Sequence, residues 1–147
     1  MLFRSADVWS ITSVNELARE GKDCHRWNML HPAETPRESY LTQQLKQTRG
    51  PFIAATDYMK AHTDQLREFI PGRFTVLGTD GFGRSDTRAK LRKHFEVNRD
   101  FIVLAALKSL ADEGQLKPQV VVDAMKDRKS TRLNSSHSSV SRMPSSA

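Results

Sequence analysis

The sequence is poor in cysteine and in long apolar stretches, and each shortage excludes a class of protein. Cys24 is the single cysteine among 147 residues, so an internal disulfide and a disulfide-stapled secreted fold are excluded. No apolar run approaches the roughly 20 residues that span a bilayer, and the N-terminus lacks the basic, apolar and small-residue succession of a signal peptide. These features predict a protein of the reducing cytoplasm without a membrane partner.

Aromatic residues are also sparse, at 7% of the chain, and they do not interleave with the basic residues as a nucleic-acid groove requires. The formal charge of +6 sits mostly at the two ends of the chain. Residues 127–147 carry +3 and Arg4 adds one more, which leaves only +2 for residues 6–126. We therefore expect no nucleic-acid partner, and the alternative of a basic nucleic-acid binder depends on the tail alone.

Both ends of the chain resemble translated sequencing-library adapter rather than protein. DRKSTRLNSSH and SRMPSSA in the tail, and MLFRS at the start, back-translate into the two common adapters. We expect residues 1–5 and 127–147 to be foreign, the tail to be disordered, and residues 6–126 to form the one domain. The alternatives are a natural basic tail or an N-glycosylation site at Asn134-Ser135-Ser136. The flanking nucleotide sequence distinguishes them.

Hydrophobic periodicity and turn residues predict an α/β layered domain, with a small, mostly parallel sheet flanked by helices. About three strands are predicted, and they are Asp7–Thr12, Phe52–Ala55 and Phe74–Gly78. A sheet this thin, whose first strand starts almost at the boundary of the foreign residues, is typical of an incomplete domain.

The predicted helices are placed by capping residues, prolines and glycines. A capping box of Ser13 and Glu16 begins the first, which covers Asn15–Arg19 and continues weakly through Cys24–Leu30 because Gly21 interrupts it. Ser85 or Asp86, and then Asn98, are expected to cap later helices. The remaining helices are predicted at Tyr58–Phe69 near a cap at Asp57, Thr87–Phe95, Arg99–Glu113 ending at Gly114, and Gln119–Lys126 after Pro118. Tyr40–Lys46 suits either a short helix or an extended connector.

The most specific string is LGTDGFGRSDTR, which follows the clearest strand and precedes a helix. Such a strand, glycine-rich loop and helix can hold a phosphate, but the spacing matches neither the dinucleotide fingerprint nor the P-loop. The structural interpretation, which we favour, is that the glycines permit tight turns and that the phenylalanine is buried. The candidate structural or anion-contact loop comprises Gly78, Thr79, Asp80, Gly81, Phe82, Gly83 and Arg84. A small anion-binding module that uses Gly78 to Arg88 is the alternative function.

The other polar residues predict no catalytic, cofactor-binding or metal-binding set. Asp80 superficially resembles the start of the thiamine-diphosphate metal motif, but Thr79 replaces its first glycine and the paired asparagines are absent. One cysteine and two histidines fall short of a zinc set. Cys24, His25 and His31 are therefore interpreted as surface or interface residues, His62 and His94 as ordinary partly exposed histidines, and Arg88, Lys90, Arg92 and Lys93 as a solvated helix face.

Three long strings carry a family resemblance that covers essentially all of Ala6 to Lys126. They are DVWSITSVNELAREGKDCHRWNMLHPAETPR, AATDYMKAHTDQLREFIPGRFTVLGTDGFGRSDTRAKLRKHFEV and FIVLAALKSLADEGQL. They resemble successive blocks of the C-terminal domain of the homodimeric bacterial pyruvate dehydrogenase decarboxylating subunit. WNMLHP and ATDYMK make the resemblance specific to that subfamily rather than to transketolases in general.

The resemblance implies a parent enzyme that decarboxylates pyruvate with thiamine diphosphate and magnesium and passes an acetyl group to the lipoyl group of a dihydrolipoyl acetyltransferase. In that family other domains hold the cofactor, and the C-terminal domain supports the homodimer. No catalytic residue of the family maps onto this sequence. The fragment itself is therefore expected to bind no cofactor and to be inactive alone, with a second copy of the parent subunit and the acetyltransferase as partners.

Overall fold

The structure, a computed structural model, describes residues 5–127, with nothing recorded for the side chain of Asp127. The predictions for the adapter-like ends lie almost wholly outside this range. The elements in chain order are α1 Val14–Leu30, α2 Tyr40–Leu45, β1 Phe52–Ala55, α3 Lys60–Asp64, a 3₁₀ turn Arg67–Phe69, β2 Phe74–Leu77, α4 Arg88–His94, α5 Arg99–Asp112 and α6 Pro118–Asp127. None of the helices within the described residues is long and apolar enough to cross a bilayer.

The sheet consists of β1 and β2, which run parallel with Phe52 opposite Phe74 and Ala55 opposite Leu77. This confirms a small α/β domain with a parallel sheet. The prediction of a third strand at residues 7–12 is wrong, because that segment has no regular secondary structure and Val8 is 94% exposed. Alternation of β-branched and aromatic residues favours a strand only where a neighbouring strand supplies the ladder hydrogen bonds, and none of the described strands pairs with it.

The main hydrophobic core lies between one face of β2 and the first two helices. Phe74 and Val76 alternate toward this face, as side chains of a strand must. The 3₁₀ turn that precedes β2 adds further apolar side chains to the same cluster. Its buried members are Ala18, Leu41, Leu45, Leu66, Phe69, Ile70, Phe74 and Val76. Leu66 is fully excluded from solvent, which makes the turn between α3 and β2 an anchor of the fold.

The opposite face of the sheet is covered by α5. The hydroxyl of Thr75, on the second face of β2, lies 3.3 Å from the hydroxyl of Ser109. Leu107 is buried, as the predicted apolar face of α5 requires, and Phe101 and Ser109 are buried as well. The other predicted members, Ile102, Val103, Ala106 and Leu110, are only half-buried. Helix α6 packs against α5.

Helix α1 is continuous, so the expected interruption at Gly21 is wrong. Gly21 is buried against the ring of Phe69, where a larger residue would not fit. The predicted capping box is also wrong, because the Ser13 side chain makes no capping hydrogen bond. Glu16 instead pairs with Arg19 one turn along the helix. A charged partner holds a carboxylate more strongly than a neutral amide does.

Of the caps predicted for the later helices, that of α5 is confirmed and that of α4 is wrong. Asn98 caps α5 by accepting hydrogen bonds from the amides of Asp100 and Phe101, and Gly114 ends it with a φ of +74°, both as predicted. The expected cap of α4 is wrong: Thr87 occupies that position, and Asp86 accepts from the Thr87 amide instead. Residues 40–46 were predicted as either a short helix or an extended connector, and the structure has the short helix α2 there.

Candidate functional site

The site is built where β1 and β2 end, because the carboxyl ends of parallel strands meet at one edge of the sheet. Gly78 follows β2 and packs against the segment after β1. A Cβ on Gly78 would lie 2.7 Å from the amide nitrogen of Lys60 and 2.8 Å from the carbonyl oxygen of Tyr58. These are backbone atoms and cannot rotate away, so only glycine permits this approach.

Thr79 continues the contact with the segment after β1. Its amide donates to the carbonyl of Tyr58 at 2.9 Å, and its hydroxyl donates to the carbonyl of Asp57 at 2.8 Å. The two strand ends are therefore held together by hydrogen bonds that depend on Gly78 for their closeness. This geometry gives the candidate loop a structural role at its first two residues.

Asp80 caps helix α3 from across the loop. Its Oδ1 accepts from the Lys60 amide at 2.9 Å, and its Oδ2 lies 3.6 Å from the Lys60 ammonium group. The predicted cap at Asp57 is therefore wrong, and the helix predicted at residues 58–69 is real but much shorter. The helix begins only at Lys60, after Met59, and ends at Asp64 before the 3₁₀ turn.

Phe82 contradicts the sequence prediction, since its side chain is 96% exposed rather than buried. It stands at the tip of the loop between Gly81, which has a φ of +104°, and Gly83. The two glycines carry the chain outward in a wide turn that takes Phe82 away from the core. An aromatic ring held in solvent has no stabilising effect of its own on this domain.

A cleft of about 490 Å³ opens between this loop and α4. The apolar residues of its lining, Leu91, Phe95 and Val97, are half-buried or buried and form its floor. The lining also includes Arg84 from the candidate loop and Arg88 from α4, which are exposed and form its rim, and the half-buried Arg92. The residues that line it are Asp57, Thr79, Gly81, Gly83, Arg84, Asp86, Arg88, Leu91, Arg92, Phe95 and Val97. The structure thus brings the loop together with Arg88, as the alternative of an anion-binding module at Gly78 to Arg88 predicts, and also with Arg92 from the basic face of α4.

The carboxylates of this cleft already have cationic partners. Asp57 lies 3.4 Å from the guanidinium of Arg92, and Asp86 lies 3.5 Å from the ammonium of Lys90. The expectation that the face of α4 is solvated fits the helix itself, which contains no buried residue. That expectation did not include the apolar floor of the cleft. The sequence does hint at this floor, because Leu91 and Phe95 are four residues apart and therefore lie on one helix face.

The cysteine and the nearby histidines have ordinary packing partners. Cys24 donates to the Glu20 carboxylate at 3.3 Å, and burial raises the pKa of the Cys24 thiol, with the Glu20 hydrogen bond adding to the effect. His25 lies 5.0 Å from the ring of Phe69. The ring of His31 stacks on the indole of Trp27 at 4.3 Å. Within residues 5–127, no three or more histidines, cysteines and carboxylates are grouped as a metal site.

Trp27 also contacts the segment between α1 and α2. The guanidinium of Arg37 lies 3.8 Å from the centre of the Trp27 ring. The backbone of Arg37 is in turn held by the side chain of Asn28. Asn28 donates to the Arg37 carbonyl and accepts from the Arg37 amide, at 2.9 and 2.7 Å. His62 and His94 are half-buried and lie beside Tyr58 and Phe95.

Comparison with known proteins defines the class first. Residues 3–98 match the model of the transketolase-like C-terminal domain, and the chain belongs to that family. The matched residues include both strands of the small parallel sheet, whereas α5 and α6 follow the matched range.

The relatives are more specific than the family. The chain is 58% identical to the pyruvate dehydrogenase E1 component of Cupriavidus necator over 121 residues, which are 82% of this chain and 14% of that protein. It is 54% identical to the Pseudomonas aeruginosa protein of the same name and 53% identical to that of Escherichia coli, again over 82% of this chain. The resemblance drawn from the sequence is confirmed, and the chain spans about one seventh of the relatives' length.

Proposed function

We propose that residues 6–126 serve as a structural portion of a thiamine-diphosphate-dependent pyruvate dehydrogenase and carry no catalytic group themselves. The observation that carries this proposal is the identity above 50% to three E1 components over 121 residues. The segment is then the C-terminal portion of an enzyme that decarboxylates pyruvate and acetylates the lipoyl group of a dihydrolipoyl acetyltransferase.

The contacts at the strand ends support a structural role. Thiamine diphosphate and magnesium need oxygen ligands for the metal and free donors for the diphosphate. Asp80 is the carboxylate of the candidate loop, and its two oxygens are taken by the amide and the ammonium of Lys60. The candidate loop therefore offers no free carboxylate for the metal, and no three or more histidines, cysteines and carboxylates of residues 5–127 are grouped as a metal site. We assign the cofactor to the other domains of the parent enzyme.

The exposed apolar side chains support a role in assembly. Trp9, Met29, Leu30 and Tyr40 are each more than half exposed. Exposed large apolar residues at this density are typical of surfaces that a further domain or subunit covers. In the parent enzyme these residues would be covered by its other domains or by the second subunit of the homodimer.

A chimeric enzyme tests the structural role. The matching 121 residues of the Escherichia coli E1 component are replaced by those of this chain, and pyruvate decarboxylation and sedimentation are measured. We expect a chimera that assembles and retains most of the activity. The same chimera with Gly78→Val should lose assembly and activity together, because the added side chain meets the backbone of Tyr58 and Lys60. An unaltered chimera that assembles normally but is inactive would refute the proposal.

Cofactor binding by this chain alone provides the second test. In calorimetric titrations, thiamine diphosphate should show no binding that depends on magnesium, and the chain should release no carbon dioxide from pyruvate. Saturable binding in the micromolar range that requires magnesium would overturn the assignment of the cofactor to other domains.

A further inference from the structure

The cleft between the candidate loop and α4 has the chemistry of a ligand site that the structural role does not require. It lies beyond the carboxyl ends of β1 and β2, and ligands of open parallel sheets usually bind at that edge. Its volume of about 490 Å³ falls in the range of small-molecule sites. The floor is formed by the apolar side chains of Leu91, Phe95 and Val97.

Positive charge is concentrated at this cleft. Residues 84–94 carry a net charge of +4, whereas the whole of residues 6–126 carries only +2, so the rest of that body is net acidic. Within residues 5–127, neither Arg84 nor Arg88 is bound to a carboxylate, and Arg92 is paired with Asp57. The second carboxylate of the lining, Asp86, is paired with Lys90. Two guanidinium groups at the rim are therefore available to an incoming anion.

Guanidinium groups and an apolar floor together select a particular ligand chemistry. The planar fork of arginine binds phosphate oxygens through paired hydrogen bonds. A floor of leucine, phenylalanine and valine side chains favours a ligand with an apolar body, since it gains from leaving water.

We propose that this cleft binds an organic phosphate, with its phosphoryl group on Arg84 and Arg88 and its apolar portion on Leu91, Phe95 and Val97. This site is separate from the structural role, since the side chains of Arg84 and Arg88 take no part in the contacts that join the strand ends. The sequence suggested an anion-binding loop as an alternative function. The proposed site extends that loop to a cleft with a cationic part and an apolar part. A ligand of either half alone, an inorganic anion or an apolar ring, binds more weakly.

Phenyl phosphate is the probe, with inorganic phosphate and phenol as its two halves. Amide shifts of Gly81 and Gly83 and side-chain shifts of Leu91 are followed by NMR in the full chain. We expect saturable shifts with phenyl phosphate at lower concentration than with either half. Arg84→Gln with Arg88→Gln should weaken binding about tenfold or more, the loss expected for charge-assisted hydrogen bonds.

Two further variants separate a built site from general charge attraction. Arg26→Gln removes one exposed positive charge from α1, outside the cleft, and should leave the affinity unchanged. Arg84→Lys with Arg88→Lys keeps the charge but removes the guanidinium forks, and it should bind more weakly than the unaltered chain. The proposal is overturned if no saturable shift occurs, if Arg26→Gln weakens binding as much as the cleft variants, or if phosphate binds as tightly as phenyl phosphate. None of these outcomes bears on the chimeric enzyme, so the two proposals fail separately.

Discussion

Gly21 lies directly against the ring of Phe69, and a Cβ built on the glycine would stand 2.6 Å from two of the ring carbons. Phe69 is 2% exposed, so its ring is held on all sides by the core. The glycine that weakens the helix in the sequence is therefore the residue that lets α1 approach the 3₁₀ turn. Glycine lowers the stability of the helix by about 1 kcal/mol relative to alanine, and the close packing of α1 on the 3₁₀ turn offsets this loss.

Gly21→Ala should destabilise the domain, although alanine is the better helix former. The added methyl group requires Phe69 or the helix to shift, which costs about 1–3 kcal/mol in a packed core. Urea denaturation measures the change. Gly83→Ala is the matched control, because a Cβ there meets nothing within 4 Å, and its effect should stay within about 0.5 kcal/mol. If the Gly21→Ala protein were as stable as the unaltered chain, the contact between Gly21 and Phe69 would have room for an added methyl group, and the prediction would be wrong.

Asp80→Ala should destabilise the turn that begins α3 by about 0.5–2 kcal/mol, the usual loss when a side-chain cap is removed. The carboxylate accepts the Lys60 amide hydrogen bond at 2.9 Å, and alanine leaves that amide without an acceptor. Asp80→Asn keeps an oxygen acceptor and should recover most of the loss. The amide shift of Lys60 and the urea midpoint are the two readouts. If the asparagine variant were as damaged as the alanine variant, the charge rather than the cap would be responsible.

Asp112 should give the domain a stability that falls at acid pH. Hydrogen bonding from Lys108, with the nearby charges of Lys108 and Arg73, lowers the pKa of this carboxyl below its ordinary value. A depressed folded-state pKa stabilises the protein above the unfolded pKa, about 3.9, and the effect is lost as pH falls through the folded value. Asp112→Asn should flatten that part of the pH profile of the urea midpoint. Because the carboxyl is exposed, the expected difference in the urea midpoint is small. The prediction is contradicted if the variant has the same pH profile of the urea midpoint as the unaltered chain.

Cys24 should react slowly with thiol reagents at neutral pH. Burial and the Glu20 carboxylate raise the pKa of the Cys24 thiol, so little thiolate, the reactive form, is present. The rate of modification by a disulfide reagent should rise after unfolding in urea, at the same pH. Glu20→Gln removes the neighbouring charge and should speed the reaction of the folded protein. Equal rates for the folded and unfolded chains would contradict the raised pKa.

Elements whose determinants lie within a few residues could be predicted from the sequence. Helix α5 is bounded by Asn98 and Gly114, whose cap and left-handed conformation depend only on their immediate neighbours. The apolar runs that became β1 and β2 were likewise recognisable from the sequence, although only β2 has buried residues and β1 is at most half-buried. The family was recognisable from long strings of residues rather than from any catalytic motif.

Elements that depend on distant contacts could not be predicted. The start of α3 is set by Asp80, which lies twenty residues further along the chain than Lys60. The continuity of α1 depends on Phe69, and no local pattern reveals that Gly21 will face a ring. Phe82 is apolar but sits between two glycines in a wide turn, so composition alone misplaces it. In the cleft, the sequence named Arg84 and missed the apolar floor supplied by α4 and the residues after it.

The attachment of α6 determines how the domain comes apart. This helix packs on α5, and it contributes Val121 as its buried apolar residue, outside the main cluster. The last helix of the described residues, which packs mainly on one neighbour, opens by itself at lower free energy than the strands. Deuterium uptake under native conditions should therefore proceed from the amides of α6 inward, with those of β1 and β2 exchanging last, and proteolysis should begin at the same end.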